Sequence, residues 1–227
     1  QKKGFRAGHD SVILASSIPA KRGDKCLELG VGTGVVSLCL LSRVEDLKIV
    51  GIDNDQDVLS LAKENSIINN FQDKLVLIKG DLNKGLKESS ELQRQSFDHI
   101  YSNPPYYIED EIIFPLNEGK RNAYEGNSDT FKVWLKIALT LVKSKGSITF
   151  INHIKNLPKM LNLFTSSMGD IKITPIFSDI KKPAYRFLIS GVRDSKKPLK
   201  FTKGLVLNNK DGKNTKKIEN ILRFGKS

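Results

Sequence analysis

The chain has 227 residues, is 39% hydrophobic and carries a net charge of +12, which suits one domain with a sizeable core and a bias towards polyanionic partners. Cys26 and Cys39 both lie in apolar runs and the three histidines are scattered, so a reducing compartment is expected, with neither a disulfide scaffold nor a metal site. No apolar run nears the roughly 20 residues of a membrane span, and the first residues resemble no targeting peptide, so a cytoplasmic protein without membrane attachment is expected.

In chain order, Asp10 is placed to cap a helix over Ser11 to Ile18, which Pro19 ends. The run Lys25-Cys26-Leu27-Glu28-Leu29 reads as a first strand, followed by Gly30-Val31-Gly32-Thr33-Gly34 and an apolar helix from Val35 to Leu41. A second strand, Leu47 to Ile52, ends at Asp53, and Asp55 or Asp57 can cap the helix behind it. Lys74 to Lys79 is a third strand ending at Gly80-Asp81, and residues 82–96 form a polar helix or loop. The fourth strand, Phe97 to Tyr101, stops at Asn103-Pro104-Pro105-Tyr106, because two prolines supply no amide hydrogens to continue a ladder.

Residues 107–129 are aperiodic and rich in Gly, Asn and Asp, a length that suggests a loop on the substrate side. Thr130 to Val142 is a helix, Lys143 to Gly146 a turn, and Ser147 to Ile151 a fifth strand. A helix over Asn156 to Met168 precedes two consecutive apolar runs, Ile171 to Phe177 and Tyr185 to Arg193, which should pair antiparallel. Leu205-Val206-Leu207 and a helix from Lys216 to Phe224 close the chain. Strands alternating with helices and ending in an antiparallel pair give a three-layer α/β domain over residues 1–227. Residues 193–227 hold eleven Lys/Arg against three Asp/Glu, a basic region suited to nucleic acid, although lysine-rich coding bias would produce the same excess.

The glycine loop restricts the choice of cofactor. No Lys-Ser/Thr follows Gly34, so it is not a P-loop, and the sixth position from Gly30 is Val35 rather than the glycine of a dinucleotide turn. Glu28 beside the loop would repel a pyrophosphate and attract an ammonium. S-adenosylmethionine has an ammonium, a sulfonium and a ribose, and no phosphate. Asp53 is placed to accept the ribose hydroxyls, Asp81 the adenine amino group, and Leu82 to offer a backbone amide and an apolar face.

Methyl transfer from a sulfonium needs a nucleophile held in line. An amino group conjugated to a ring or carbonyl is a poor one, and two acceptors aimed at its hydrogens orient it and stabilise the developing positive charge. The Asn103 side chain and the Pro104 carbonyl can be those acceptors, stiffened by Pro105, with Tyr106 and then Tyr107 available for stacking.

The ordered set Leu27 to Gly34, Gly51-Ile52-Asp53, Gly80-Asp81 and Asn103 to Tyr106 resembles the class I S-adenosylmethionine-dependent methyltransferases with an Asn-Pro-Pro-Tyr motif. Phe5-Arg6-Ala7-Gly8-His9-Asp10 at the start, with Pro183-Ala184-Tyr185-Arg186 and Gly204-Leu205-Val206-Leu207 near the end, resembles the bacterial tRNA1(Val) adenine-37 N6-methyltransferase family. That resemblance implies a Rossmann-like domain with a mostly parallel seven-stranded sheet and an antiparallel final strand. It implies that Glu28, Gly30, Gly32, Asp53, Asp81 and Leu82 surround the cofactor. Asn103, Pro104 and Tyr106 would be catalytic, with Pro105, Tyr106 and Tyr107 at the acceptor adenine of a tRNA. A monomer is favoured. Glu109 and Asp110 depart from many relatives, which have less acidic residues there.

The tetrapeptide alone does not separate adenine from a glutamine amide, so release-factor glutamine methylation stays open, as do ribosomal RNA or DNA amino-methylation and a non-catalytic RNA-binding module. The short segment before the first strand, too small for a separate recognition domain, and the basic end of the chain favour RNA over protein.

Overall fold

The computed structural model describes residues 8–85, 91–104 and 130–225. Strands β1 (Lys25–Leu29), β2 (Lys48–Asp53), β3 (Leu75–Lys79) and β4 (Phe97–Ser102) are followed by β5 (Val142–His153), β6 (Gly169–Asp179) and β7 (Ala184–Val192). Short strands β8 (Lys200–Phe201) and β9 (Leu205–Asn208) come last. All nine join one sheet in the order β3-β2-β1-β4-β5-β7-β6-β8, with β9 also on β6. The seven anticipated strands are present, β7 lies antiparallel to β5 and β6, and β8 and β9 extend the sheet parallel to β6.

Helices α1 (His9–Ser17), α2 (Val35–Arg43), α3 (Gln56–Ile68), α4 (Thr130–Leu141), α5 (Leu157–Thr165) and α6 (Lys216–Phe224) complete the described elements. Side-chain alternation along the strands divides the core in two. Leu27, Leu29, Ile100, Ile148 and Phe187 pack under α4 and α5. Cys26, Ile49, Tyr101, Ile151 and Leu188 pack with α1, α2 and α6. The basic end of the chain is therefore part of the sheet and of one helical layer, since Ile218 and Ile221 of α6 are fully buried.

Local chemistry fixes several boundaries. Asp55 caps α3 by accepting from the amides of Asp57 and Val58, and Thr215 caps α6 by accepting from Ile218. Asp10 does not cap α1: Gly8 occupies the N-cap, and Asp10, already inside the first turn, pairs with Arg186 at 3.2 Å. The turn expected over Lys143 to Gly146 is the start of β5, which runs without a break from Val142. Its turn-like residues instead produce an irregularity, with Lys145 at φ 64° and a register shift opposite Phe97 and His99. Gly146 is obligatory there, because a Cβ would come within 2.7 Å of the Asp98 carbonyl oxygen. The segment after β3 holds a 3-10 turn at Leu82–Lys84.

Candidate active site

The carboxyl ends of β1 to β4 carry the polar residues selected from the sequence. Gly30 follows β1, Asp53 ends β2, Asp81 and Leu82 follow β3, and Asn103 follows β4. All five line one cavity of about 220 Å³, together with Asn54, Gly80, Asn83, Thr130 and Trp134. Ligands of open α/β sheets bind at this edge.

The glycine loop is held from below and from the side. The amides of Gly30 and Val31 each donate to the Ile52 carbonyl at 2.9 Å. The Gly32 amide donates to Asp53 Oδ2 at 2.9 Å, so one oxygen of Asp53 fixes the loop that it shares a cavity with. Its other oxygen accepts from Asp55 N at 3.1 Å. Each carboxylate oxygen retains a second acceptor direction, which leaves Asp53 able to receive hydroxyls. Asp81 combines two roles as well: Oδ1 caps the 3-10 turn by accepting from Asn83 N at 3.0 Å, and the residue faces the cavity.

Gly30 stands at φ 70°, and a Cβ there would approach Trp134 Cη2 to 3.0 Å. Glycine therefore serves both the left-handed backbone and the close seating of the indole. Trp134 is 8% exposed, and its Nε1 is buried without a hydrogen-bond partner among the described residues. An orphaned indole N–H beside a cavity with two carboxylates suits a polar ligand bearing both cationic and acceptor groups. S-adenosylmethionine fits that donor set, and among the described residues no lysine or arginine lines the cavity to hold a pyrophosphate.

Glu28 is not part of the lining. It is 1% exposed and lies on the same sheet face as Tyr101, its register partner on β4. Its carboxyl accepts from Ser37 Oγ at 2.5 Å and from Ser37 N at 3.2 Å, behind the glycine loop. Ser37 Oγ also lies 2.9 Å from Tyr101 Oη. Strand parity explains the placement: Leu27 and Leu29 point to one core and Glu28 to the other. Burial pushes the Glu28 carboxyl up to about 8, with the Ser37 hydrogen bonds opposing and the Asp53 charge adding to the rise.

At the fourth strand end, Ser102 Oγ donates to the Leu29 carbonyl at 2.7 Å, binding the exit of β4 to the exit of β1. Asn103 follows in the cavity wall and Pro104 is buried. Pro105, Tyr106, Tyr107 and the loop 107–129 lie outside the described residues. Sequence reasoning missed Trp134 and Thr130, which reach the cavity from α4. Their available signal was position, since a helix returning after a long connection opens at the sheet edge where that connection began.

A family profile described as Methyltransferase small domain matches residues 6–117. The chain is 30% identical over 154 residues to a tRNA1(Val) (adenine(37)-N6)-methyltransferase of Bacteroides thetaiotaomicron, covering 66% of this chain and 60% of that protein. It is 26% identical over 196 residues to the protein of the same name from Actinobacillus succinogenes, covering 85% and 78%. A crystal structure described as a predicted O-methyltransferase of Agrobacterium tumefaciens superposes with a TM-score of 0.79 at 18% identity, covering 96% of this chain and 97% of that one. The tRNA (m1A58) methyltransferase of Aquifex aeolicus gives 0.61 at 12% identity, covering 86% and 72%.

Strand order, glycine loop and acid-lined cavity, with these similarities, define a class I S-adenosylmethionine-dependent methyltransferase, and the chain belongs to that class. Within the class, the relatives that the chain resembles are tRNA1(Val) (adenine(37)-N6)-methyltransferases, and it spans 60% and 78% of the length of the two described above.

Proposed function

We propose that this chain transfers a methyl group to the exocyclic N6 of an adenine in tRNA, at position 37 of a valine tRNA. The observation that carries this reading is Asn103, which stands at the end of β4 in the wall of the cavity that Gly30, Asp53 and Asp81 also line. An amide acceptor is thereby set beside the place for the methyl donor. The names of the relatives supply the substrate, and the basic end of the chain agrees with a phosphate backbone.

S-adenosylmethionine supplies an electrophilic methyl on a sulfonium. Asp53 and Asp81 hold its ribose and adenine. Glu28 acts from behind, keeping Ser37 and the first turn of α2 in place under the glycine loop. Asn103 Oδ1 and the Pro104 carbonyl accept from the two N6 hydrogens, which orients the nitrogen lone pair and stabilises its positive charge as the bond to carbon forms. The S–CH3 bond breaks as the N–CH3 bond forms, the donor would depart as the neutral thioether S-adenosylhomocysteine, and one N6 proton passes to solvent because the alkylated nitrogen has become acidic. Pro105, Tyr106 and Tyr107 are assigned to stacking of the target base.

The test is methyl transfer from labelled S-adenosylmethionine to bulk tRNA, ribosomal RNA, DNA and release factor in parallel, followed by mapping of the modified nucleotide. N6-methyladenosine at position 37 of valine tRNA is expected. Asn103→Ala should lower transfer by about a hundredfold or more while cofactor affinity holds. A labelled glutamine in release factor, or an Asn103→Ala protein as active as the parent, would refute the assignment.

A further inference from the structure

A second cleft, of about 260 Å³, opens away from the cofactor cavity, between α1, the start of α6 and the β5-β7-β6 face. Its floor is a straight row across the sheet. Tyr101 pairs with Thr149, Thr149 with Ser190, and Ser190 with Lys172, and directly paired residues share a face. Thr149 is 2% exposed, yet its hydroxyl has no hydrogen-bond partner among the described residues. Leaving such a group unsatisfied costs about 1–3 kcal/mol, so this hydroxyl is a donor and acceptor kept for something that enters the cleft.

The cleft is also strongly cationic. Lys172, Lys203 and Lys217 line it from β6, the β8–β9 connection and α6, and no acidic residue does. The carbonyl end of α1 would oppose an anion, but its carbonyls are already engaged. Ser16 and Ser17 hydroxyls donate to Ile13 and Leu14, and Arg43 donates to Ala15 and Ile18. Three exposed lysines around a cleft that also carries hydroxyls, with no carboxylate among the described residues lining it, are complementary to a tetrahedral oxyanion.

We infer that this cleft binds a phosphate group, through Thr149 and Ser190 hydroxyls at its floor and Lys172, Lys203 and Lys217 at its rim. Two sources offer that chemistry: a phosphodiester of the RNA acceptor, in which case the inference rests on the reading above, and a free phosphate ester. Lys203 and Lys217 belong to the basic region 193–227, which favours the RNA backbone.

The experiment is calorimetric titration of the cofactor-free protein with inorganic phosphate at low chloride, beside tRNA binding measured across a salt series. Three proteins are compared: the parent, Thr149→Val, and the triple variant Lys172→Gln, Lys203→Gln, Lys217→Gln. Thr149→Val should weaken phosphate binding by about tenfold and raise the melting temperature, because a buried unpartnered hydroxyl becomes a methyl. A merely structural threonine would give no loss of binding. The triple variant should abolish phosphate uptake, with S-adenosylmethionine affinity unchanged in all three proteins. Parallel losses in tRNA affinity, with a shallower salt slope in the triple variant, identify the RNA backbone as the source; phosphate loss with unaltered tRNA binding identifies a free phosphate ester. A parent protein that takes up no phosphate, together with variants that bind tRNA as the parent does, overturns the site. The phosphate titration involves neither methyl donor nor acceptor, so it stands or falls separately from the methyl-transfer assay.

Discussion

Arg186 Nε on β7 donates to Asp10 Oδ2 in the first turn of α1 at 3.2 Å, although the residues are 176 positions apart. Their side chains are 18% and 19% exposed. Asp10 of the opening motif and Arg186 of the late motif therefore meet in one structural joint beside the end of β5, where Arg186 is paired with His153. Removing one partner deprives the other of this charge-assisted hydrogen bond at a largely buried position. Asp10→Ala or Arg186→Ala should each destabilise the fold by about 1–3 kcal/mol, and the double variant should lose much less than the sum. Denaturant unfolding of the four proteins measures this; additive losses would show that the pair does not interact.

Asp53 holds the Gly32 amide and faces the cofactor cavity. Asp53→Ala removes both contacts, and S-adenosylmethionine affinity should fall by about 10- to 100-fold, the range of a charge-assisted hydrogen bond. Calorimetry on the purified variant checks it. An unchanged affinity would remove Asp53 from the binding site.

The Glu28 carboxyl is pushed by burial from an ordinary 4.5 to about 8. Between those values the unfolded chain gives up a proton that the folded chain keeps, so this group's contribution is fully present below pH 4.5 and lost as pH rises through 8. The loss amounts to roughly a few kcal/mol at most. Glu28→Gln, which cannot titrate, should flatten the decline in denaturant midpoint between pH 5 and pH 9. Identical slopes for the two proteins would contradict a buried, proton-retaining Glu28.

The chain has one tryptophan, and Trp134 lines the cofactor cavity with an unpartnered N–H. Cofactor binding should therefore change intrinsic fluorescence at Trp134 alone, and Trp134→Phe should weaken cofactor affinity several-fold while preserving the melting temperature. An emission spectrum indifferent to saturating S-adenosylmethionine would place the cofactor elsewhere.

The strand ends were legible in the sequence because glycine, proline and aspartate terminate apolar runs at fixed points, and Asp53, Asp81 and Asn103 each follow such a run. The direction of Glu28 was not legible, since one residue of register separates a cavity wall from a buried interior and only the pairing of Glu28 with Tyr101 decides between them. Trp134 was missed because its proximity to Gly30 is purely tertiary. Strands β8 and β9 were too short to carry a period. Lys143 to Gly146 read as a turn because the composition is that of a turn, and sheet pairing overrode it.

The insertion of β7 between β5 and β6 also constrains the order of assembly. When residue 179 has been synthesised, β6 still has no neighbour, and α1 lacks both Arg186 and the apolar face of α6. The first helix can pack on α2 early, but the ribosome must deliver most of the C-terminal third before that helix gains Arg186 and α6 and the sheet can close. A nascent chain arrested near residue 180 would present the bare edge of β5, the feature that recruits chaperones or another unfinished chain. Stalling anywhere between the end of β5 and the completion of β7 should therefore leave that edge exposed.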